Sequence, residues 1–212
     1  MGAVVALSGL LDARQVWRGA AAPMPAGAQP TGWPELDAAL PAGGWPEASL
    51  SEILLPADGV GELRLLLPTL ARLSRAARPV MVVAPPYAPC VAGWRQHGVD
   101  MRRVEIVAAP QNEVLWATEQ CLRSGSCAAV LAWPRQADDR ALRRLQVAAD
   151  SGRALAFVLR DRHCLANASP AALRLEIEAL PQPRAWVRKC RGGVAPARPF
   201  PLESAPADRA PH

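Results

Sequence analysis

Between Leu50 and Leu159, short apolar runs alternate with longer stretches of helical period, and that alternation constrains the fold more than any other feature of the chain. The runs are Leu50–Leu55, Pro79–Ala84, Val104–Val107, Cys127–Ala132 and Ala154–Leu159. Each has the length of a strand, and the near-continuous apolar runs Pro79–Ala84 and Ala154–Leu159 suit strands covered on both faces. Between them the spacing predicts helices from near Gly61 to Ala77, over Cys90–His97, over Asn112–Arg123 and over Asp138–Asp150. The first would turn Leu65, Leu66, Leu70 and Leu73 toward a sheet and Arg64, Arg72, Arg75 and Arg78 mostly outward. Pro68 falls inside this pattern, where a proline ordinarily kinks or breaks a helix. The later helices gather Val114, Leu115, Thr118 and Leu122, then Leu142, Leu145, Gln146 and Ala149, each set on one face. Strands and helices alternating at this spacing make βαβ units, hence an α/β fold with a mostly parallel sheet and helices on both faces. Arg174–Ala179 and Ala185–Arg191 differ in kind: they alternate, as half-exposed strands do, and read as a C-terminal antiparallel hairpin at the sheet edge.

Around that core, residues 1–29 read as an N-terminal helix and flexible linker, 30–191 as the core itself, and 192–212 as a disordered tail without periodicity. Val4–Arg18 carries Val4, Leu7 and Leu11 on one side ahead of an Ala/Pro/Gly tether. Such a helix either docks on a partner or folds back onto the core. The length of 212 residues suits one domain with a real core, and 50% hydrophobic with 20% charged residues is ordinary globular composition. The net charge of +5 is nearly all arginine, with Lys189 the only lysine; a surplus of this size permits nucleic-acid contact without requiring it. Cys90, Cys121, Cys127, Cys164 and Cys190 are odd in number, widely spaced and outside any Cys-x-x-Cys or Cys/His cluster. They fit free thiols in a reducing cytosol and give no metal site. Met1–Leu11 lacks the basic start and the cleavage signal of a leader, and no apolar run reaches the ~18 residues of a membrane span. A cytoplasmic protein is expected.

Strand, glycine-containing loop and helix over Leu50–Leu67 make the frame of a phosphate-binding loop, in which helix N-terminal N–H groups converge on an anion. That chemistry needs G-x-x-x-x-G-K-[ST], the lysine meeting phosphate and the hydroxyl holding Mg²⁺. Here the loop runs Pro56-Ala57-Asp58-Gly59-Val60-Gly61-Glu62-Leu63, so Glu62 stands at the lysine position and Leu63 at the hydroxyl position. The preceding residues Thr31, Gly32, Leu36, Asp37, Leu40, Gly43, Gly44, Pro46, Leu50, Glu52 and Ile53 carry a pattern that resembles the start of the RecA/recombinase ATPase core. The resemblance continues through Gly98-Val99-Asp100 and Arg123-Ser124-Gly125. Within that superfamily GVGELRLLLPTLARL, LWATEQCLRSGSCAAVLAWP and LRRLQVAA are similar to ImuA, the RecA-like accessory proteins of bacterial damage-induced mutagenesis cassettes, some of which are labelled SulA-like.

The resemblance implies a degenerate RecA-like core. It puts Trp133 where the metal-binding aspartate belongs and Pro86 where RecA-like enzymes carry their catalytic glutamate. With Glu62 and Leu63, all four requirements for ATP hydrolysis are lost. The expectation is therefore a pseudo-ATPase: no enzyme, no cofactor and no metal. As function the resemblance implies an accessory or adaptor role in the SOS-response translesion synthesis complex. Its implied partners are an ImuB-type, Y-family-like protein, through it an error-prone replicative-type polymerase, and RecA. Two alternatives stand beside it: a single-stranded DNA-binding protein of the same response, and a SulA-like cell-division inhibitor.

Other chemistry finds little support in the residues. His97 and His163 have no second ligand at helical spacing, and no G-x-S-x-G elbow exists. Asp138 suits a helix cap, and Glu176 and Glu178 suit one solvated strand face. The remaining candidates are Arg184, Trp186, Arg188, Lys189 and Arg191, with Gly192, Gly193, Arg198 and Phe200 beyond. Strand alternation would put Arg184, Trp186 and Arg188 on one face and Ala185, Val187 and Lys189 on the other. Such a segment could track single-stranded DNA, meet an acidic protein face, or be an edge strand kept from aggregating by its charges.

Overall fold

In the computed structural model, the structure describes residues 29–202. The expected helix Val4–Arg18 and its linker lie outside the described residues, apart from Gln29. The elements run α1 (Pro34–Ala39), β1 (Leu50–Leu55), α2 (Glu62–Ser74), β2 (Val80–Val83), α3 (Val91–Gln96), β3 (Val104–Val107), α4 (Val114–Arg123), β4 (Ala129–Ala132), α5 (Asp139–Gly152) and β5 (Leu155–Asp161). A 3₁₀ turn (Arg162–Ala166) leads to β6 (Leu173–Glu178), β7 (Arg184–Cys190) and β8 (Phe200–Pro201). They form one 8-stranded sheet in the order β3-β2-β4-β5-β1-β6-β7-β8. Pairing is parallel from β3 across to β6, and β7 and β8 are antiparallel.

The layers follow from the strand pattern. Every residue of β1 and β4 is buried, as fits central strands with helices on both sides. On one face Ile53, Leu55, Val82, Leu131 and Phe157 meet Leu65, Leu66 and Leu70 of α2 and Trp94 of α3. On the other, Leu50, Val83, Val130 and Val158 meet Val114 and Leu122 of α4 and Leu142 and Leu145 of α5. Trp45 and Phe157 lock edge to face, with ring centroids 4.9 Å apart.

Pro68 does not break α2, which is continuous from Glu62 to Ser74. Its ring packs instead against Gly32, where an added Cβ would fall 2.3 Å from the Pro68 Cβ and where φ is +87°. Only glycine fits both the left-handed turn and the approach. The Thr-Gly…Leu-Asp pattern before β1 thus has a structural role. Asp37 Oδ1 accepts from the Thr31 N–H at 2.9 Å, and Thr31 Oγ1 accepts from Trp33 N–H at 3.0 Å. The Trp33 indole donates to Leu65 O at 3.1 Å, and the Trp45 indole to Thr69 Oγ1 at 2.7 Å. These bonds clamp the chain before β1 onto α2.

A charged cluster sits inside the sheet. Glu52 of β1 is fully buried between Arg160 of β5, whose Nη1 lies 2.7 Å from Oε1, and Arg174 of β6, whose Nε lies 2.9 Å from Oε2. Glu52 pairs directly with Arg174 in the ladder, while Arg160 is a diagonal neighbour. Arg174 also donates to the carbonyls of Cys164, Leu165 and Asn167, fastening the 3₁₀ turn over this face.

Residues 192–202, expected within a disordered tail, instead return along β7. Phe200 and Pro201 pair with Ala185 and Arg184, the Leu202 N–H donates to Pro183 O at 2.8 Å, and Leu202 is buried. The return covers backbone groups that β7 would otherwise leave unpaired at the sheet edge.

Candidate functional site

The C-terminal ends of the parallel strands border a cleft of about 930 Å³. Open α/β sheets place their ligand crevices at this end. The loop after β1 supplies Ala57 and Asp58, the loop after β2 supplies Pro86 and Tyr87, and Trp133 and Arg135 follow β4. The structure therefore brings together the loop and the two positions, Pro86 and Trp133, at which the resemblance implies acidic residues. Pro86 is exposed on the wall, while Trp133 is 6% exposed with an indole N–H that meets no acceptor. Proline and tryptophan offer no oxygen to hold a metal ion at these places.

The loop itself keeps the phosphate-binding frame. Gly61 is the N-cap of α2 at φ +98°, a left-handed conformation that lets the chain turn directly into the helix. Glu62 follows as the first helical residue. It is not aimed at the cleft; it folds back, 4% exposed, and its Oε1 accepts from the Gly59 N–H at 3.2 Å. Oε2 is buried without a hydrogen-bond partner. Leu63, at the hydroxyl position, packs partly buried against the core. A loop amide that would face an anion is thus engaged by the chain's own carboxyl group. Among the described residues, no group of three or more His, Cys, Asp and Glu side chains is placed to hold a metal ion. No helix of the described residues is long and apolar enough to cross a membrane.

The basic C-terminal segment is placed differently from the expectation. Arg184 Nε lies 3.2 Å from Glu178 Oε2, and Arg188 Nε lies 2.7 Å from Glu176 Oε2. The Trp186 indole donates to Glu178 at 3.1 Å, and the Arg188 guanidinium stacks 4.7 Å above the Trp186 ring. Glu176 and Glu178 are therefore the counter-charges of this face. The expected alternation fails at Lys189, because the ladder shifts register beside Arg174 and Leu175. Arg174 pairs with Lys189 but Leu175 with Val187, so Arg188 is the extra residue of a bulge. Lys189 thereby joins the face of Arg184 and Trp186, and its Nζ donates to Ser169 O at 2.6 Å. Arg191 donates to Pro170 O at 3.0 Å. Asp138 does cap α5, accepting from the Ala141 N–H at 2.7 Å.

Sequence reasoning missed the Glu52–Arg160–Arg174 cluster as a unit. Its signal was present: a glutamate inside LSEILL and arginines inside AFVLRD and LRLEIE are charges in otherwise buried strands, and such charges need partners.

An open, mostly parallel α/β sheet with a phosphate-loop frame defines a RecA-like fold, here with Glu62 bonded to the Gly59 amide of the loop. The family model described as "Cell division inhibitor SulA" matches residues 49–156, and the chain belongs to the SulA family. A crystal structure of SulA from Pseudomonas aeruginosa is similar at 27% identity and a TM-score of 0.45, over 52% of this chain and 96% of that one. No curated protein matches the chain.

Proposed function

We propose that the chain is a non-catalytic binding protein of the DNA-damage response, an ImuA-type adaptor that docks an ImuB-type, Y-family-like protein and so serves an error-prone polymerase, with RecA as a further partner. The observation that carries the loss of catalysis is Glu62, whose carboxyl group accepts from the Gly59 N–H inside the loop where a nucleotide phosphate would sit. Leu63, Pro86 and Trp133 support it, because none can hold Mg²⁺ or activate water. The ImuA-type assignment rests on the sequence stretches around Gly59–Leu73, Leu115–Pro134 and Leu142–Ala149. Direct contact with single-stranded DNA is disfavoured by the self-pairing of Arg184 and Arg188 with Glu178 and Glu176.

Two measurements test this reading. Titration with Mg²⁺-ATP should give no saturable binding tighter than ~1 mM, the level of a ~4 kcal/mol interaction. Co-purification should recover an ImuB-type partner with the full chain. Micromolar ATP affinity with turnover would sink the non-catalytic reading. The second reading is a division inhibitor, favoured by the family match over residues 49–156. It predicts instead that the chain blocks assembly of the tubulin-like division protein and ignores the polymerase-like partner.

A further inference from the structure

A second cleft, of about 780 Å³, opens beside the N-terminal turn of α5, bounded by the loop after β4 and the 3₁₀ turn after β5. Four arginines line it, Arg135, Arg140, Arg144 and Arg160, against one acidic residue, Asp138. Asp138 is engaged in capping the Ala141 N–H. Arg160 forms a fixed element: its side chain is 4% exposed, Nη1 is held by Glu52, Nη2 donates to Ala137 O at 2.7 Å, and Nε has no hydrogen-bond partner. Arg144 is shared with Glu119 at 3.1 Å. Arg135 and Arg140 are exposed, and among the described residues neither side chain meets an acid. This cationic set thus differs from the basic strand β7, where Arg184 and Arg188 are already paired.

We propose that this cleft is the recognition site for an acidic peptide segment of a protein partner, its carboxylates pairing with Arg135 and Arg140 beside the fixed Arg160. Guanidinium forks recognise carboxylates in a bidentate manner, and arginine clusters are a recurring device for acidic motifs. Single-stranded nucleic acid is the less suitable occupant. Sequence-tolerant strand binding needs aromatic platforms for the bases, and no aromatic side chain lines this cleft. Leu115 supplies an apolar wall, so an acidic segment with an interspersed apolar residue fits best. The inference rests on the reading of the chain as a binding protein and adds the surface and the chemistry of its partner.

The test uses the full chain and a fluorescein-labelled peptide of alternating Glu and Leu, with fluorescence anisotropy read at low ionic strength, since exposed charge pairs are screened over roughly 10 Å at 0.1 M salt. The double variant Arg135→Glu/Arg140→Glu should weaken binding by roughly ten-fold or more, the combined effect of two exposed pairs turned repulsive. Arg102→Glu, an exposed arginine ahead of β3 at the opposite end of the sheet, should leave binding unchanged. No peptide binding, or binding indifferent to the double variant, overturns the proposal. So does an oligothymidylate that binds with the same arginine dependence where the peptide does not. Co-purification with the ImuB-type partner separates the two levels. If the peptide fails while the wild-type chain still recovers that partner, the cleft assignment falls and the adaptor reading stands; if both fail, both fall.

Discussion

Glu52 is the residue whose removal should cost this protein most for its size. Two guanidiniums converge on it in a fully buried setting, at 2.7 and 2.9 Å. Glu52→Ala would leave Arg160 and Arg174 buried without their counter-charge, a loss expected at about 3–5 kcal/mol. Urea denaturation with a shared m-value checks it, and a cost below ~1 kcal/mol would show that the arginines are held by their carbonyl acceptors alone. Buried ion clusters can often be exchanged for apolar residues at little cost. Here that exchange would fail, because Arg174 also serves the carbonyls of Cys164, Leu165 and Asn167, which would be orphaned.

At the scale of elements, the sequence pattern marked β1 and β3 at their observed ends, Leu50–Leu55 and Val104–Val107. The helices α2, α4 and α5 were legible from their leucine spacing, with ends shifted by a few residues. What local pattern could not reveal were features decided by neighbours in space. The close packing of the Pro68 ring on Gly32 joins positions thirty-six residues apart. The bulge at Arg188 exists only relative to β6 and moves Lys189 to the other face. β8 has two paired residues, too few for any periodicity to announce. At the candidate site, the lost lysine and hydroxyl positions could be read from the loop sequence, but the inward turn of Glu62 could not. Leu202 tests how firmly the last element is held. It is 1% exposed, its N–H bonds Pro183 O, and its carbonyl accepts from Arg64 at 3.2 Å. Leu202→Ala should destabilise the protein by about 2–3 kcal/mol, the lower part of the range for a buried leucine because the site lies at the sheet edge. A change within ~0.5 kcal/mol by thermal or chemical denaturation would mean that the return of the chain contributes nothing.

For the molecule as a whole, the thiols report global integrity. Cys90 is exposed, whereas Cys127 is buried just ahead of β4 and burial pushes its thiol up to about 11. The native protein should thus react with a thiol reagent at Cys90 first, and at Cys127 only through unfolding. The sign of the pH effect follows. Above pH ~9 an unfolded chain loses the Cys127 proton while the native one keeps it, so the native state binds more protons and stability falls as pH rises from about 9 toward 11. Denaturation midpoints at rising pH, with Cys127→Ala as the comparison, would read this out; an identical alkaline slope in both chains would contradict it.

The inward turn of Glu62 has a consequence for any free ligand. Its carboxyl oxygen is tethered three residues from the amide it occupies, so a competing phosphate meets an acceptor whose effective concentration is on the order of millimolar. A nucleotide phosphate would have to displace this carboxyl group before it could reach the Gly59 amide.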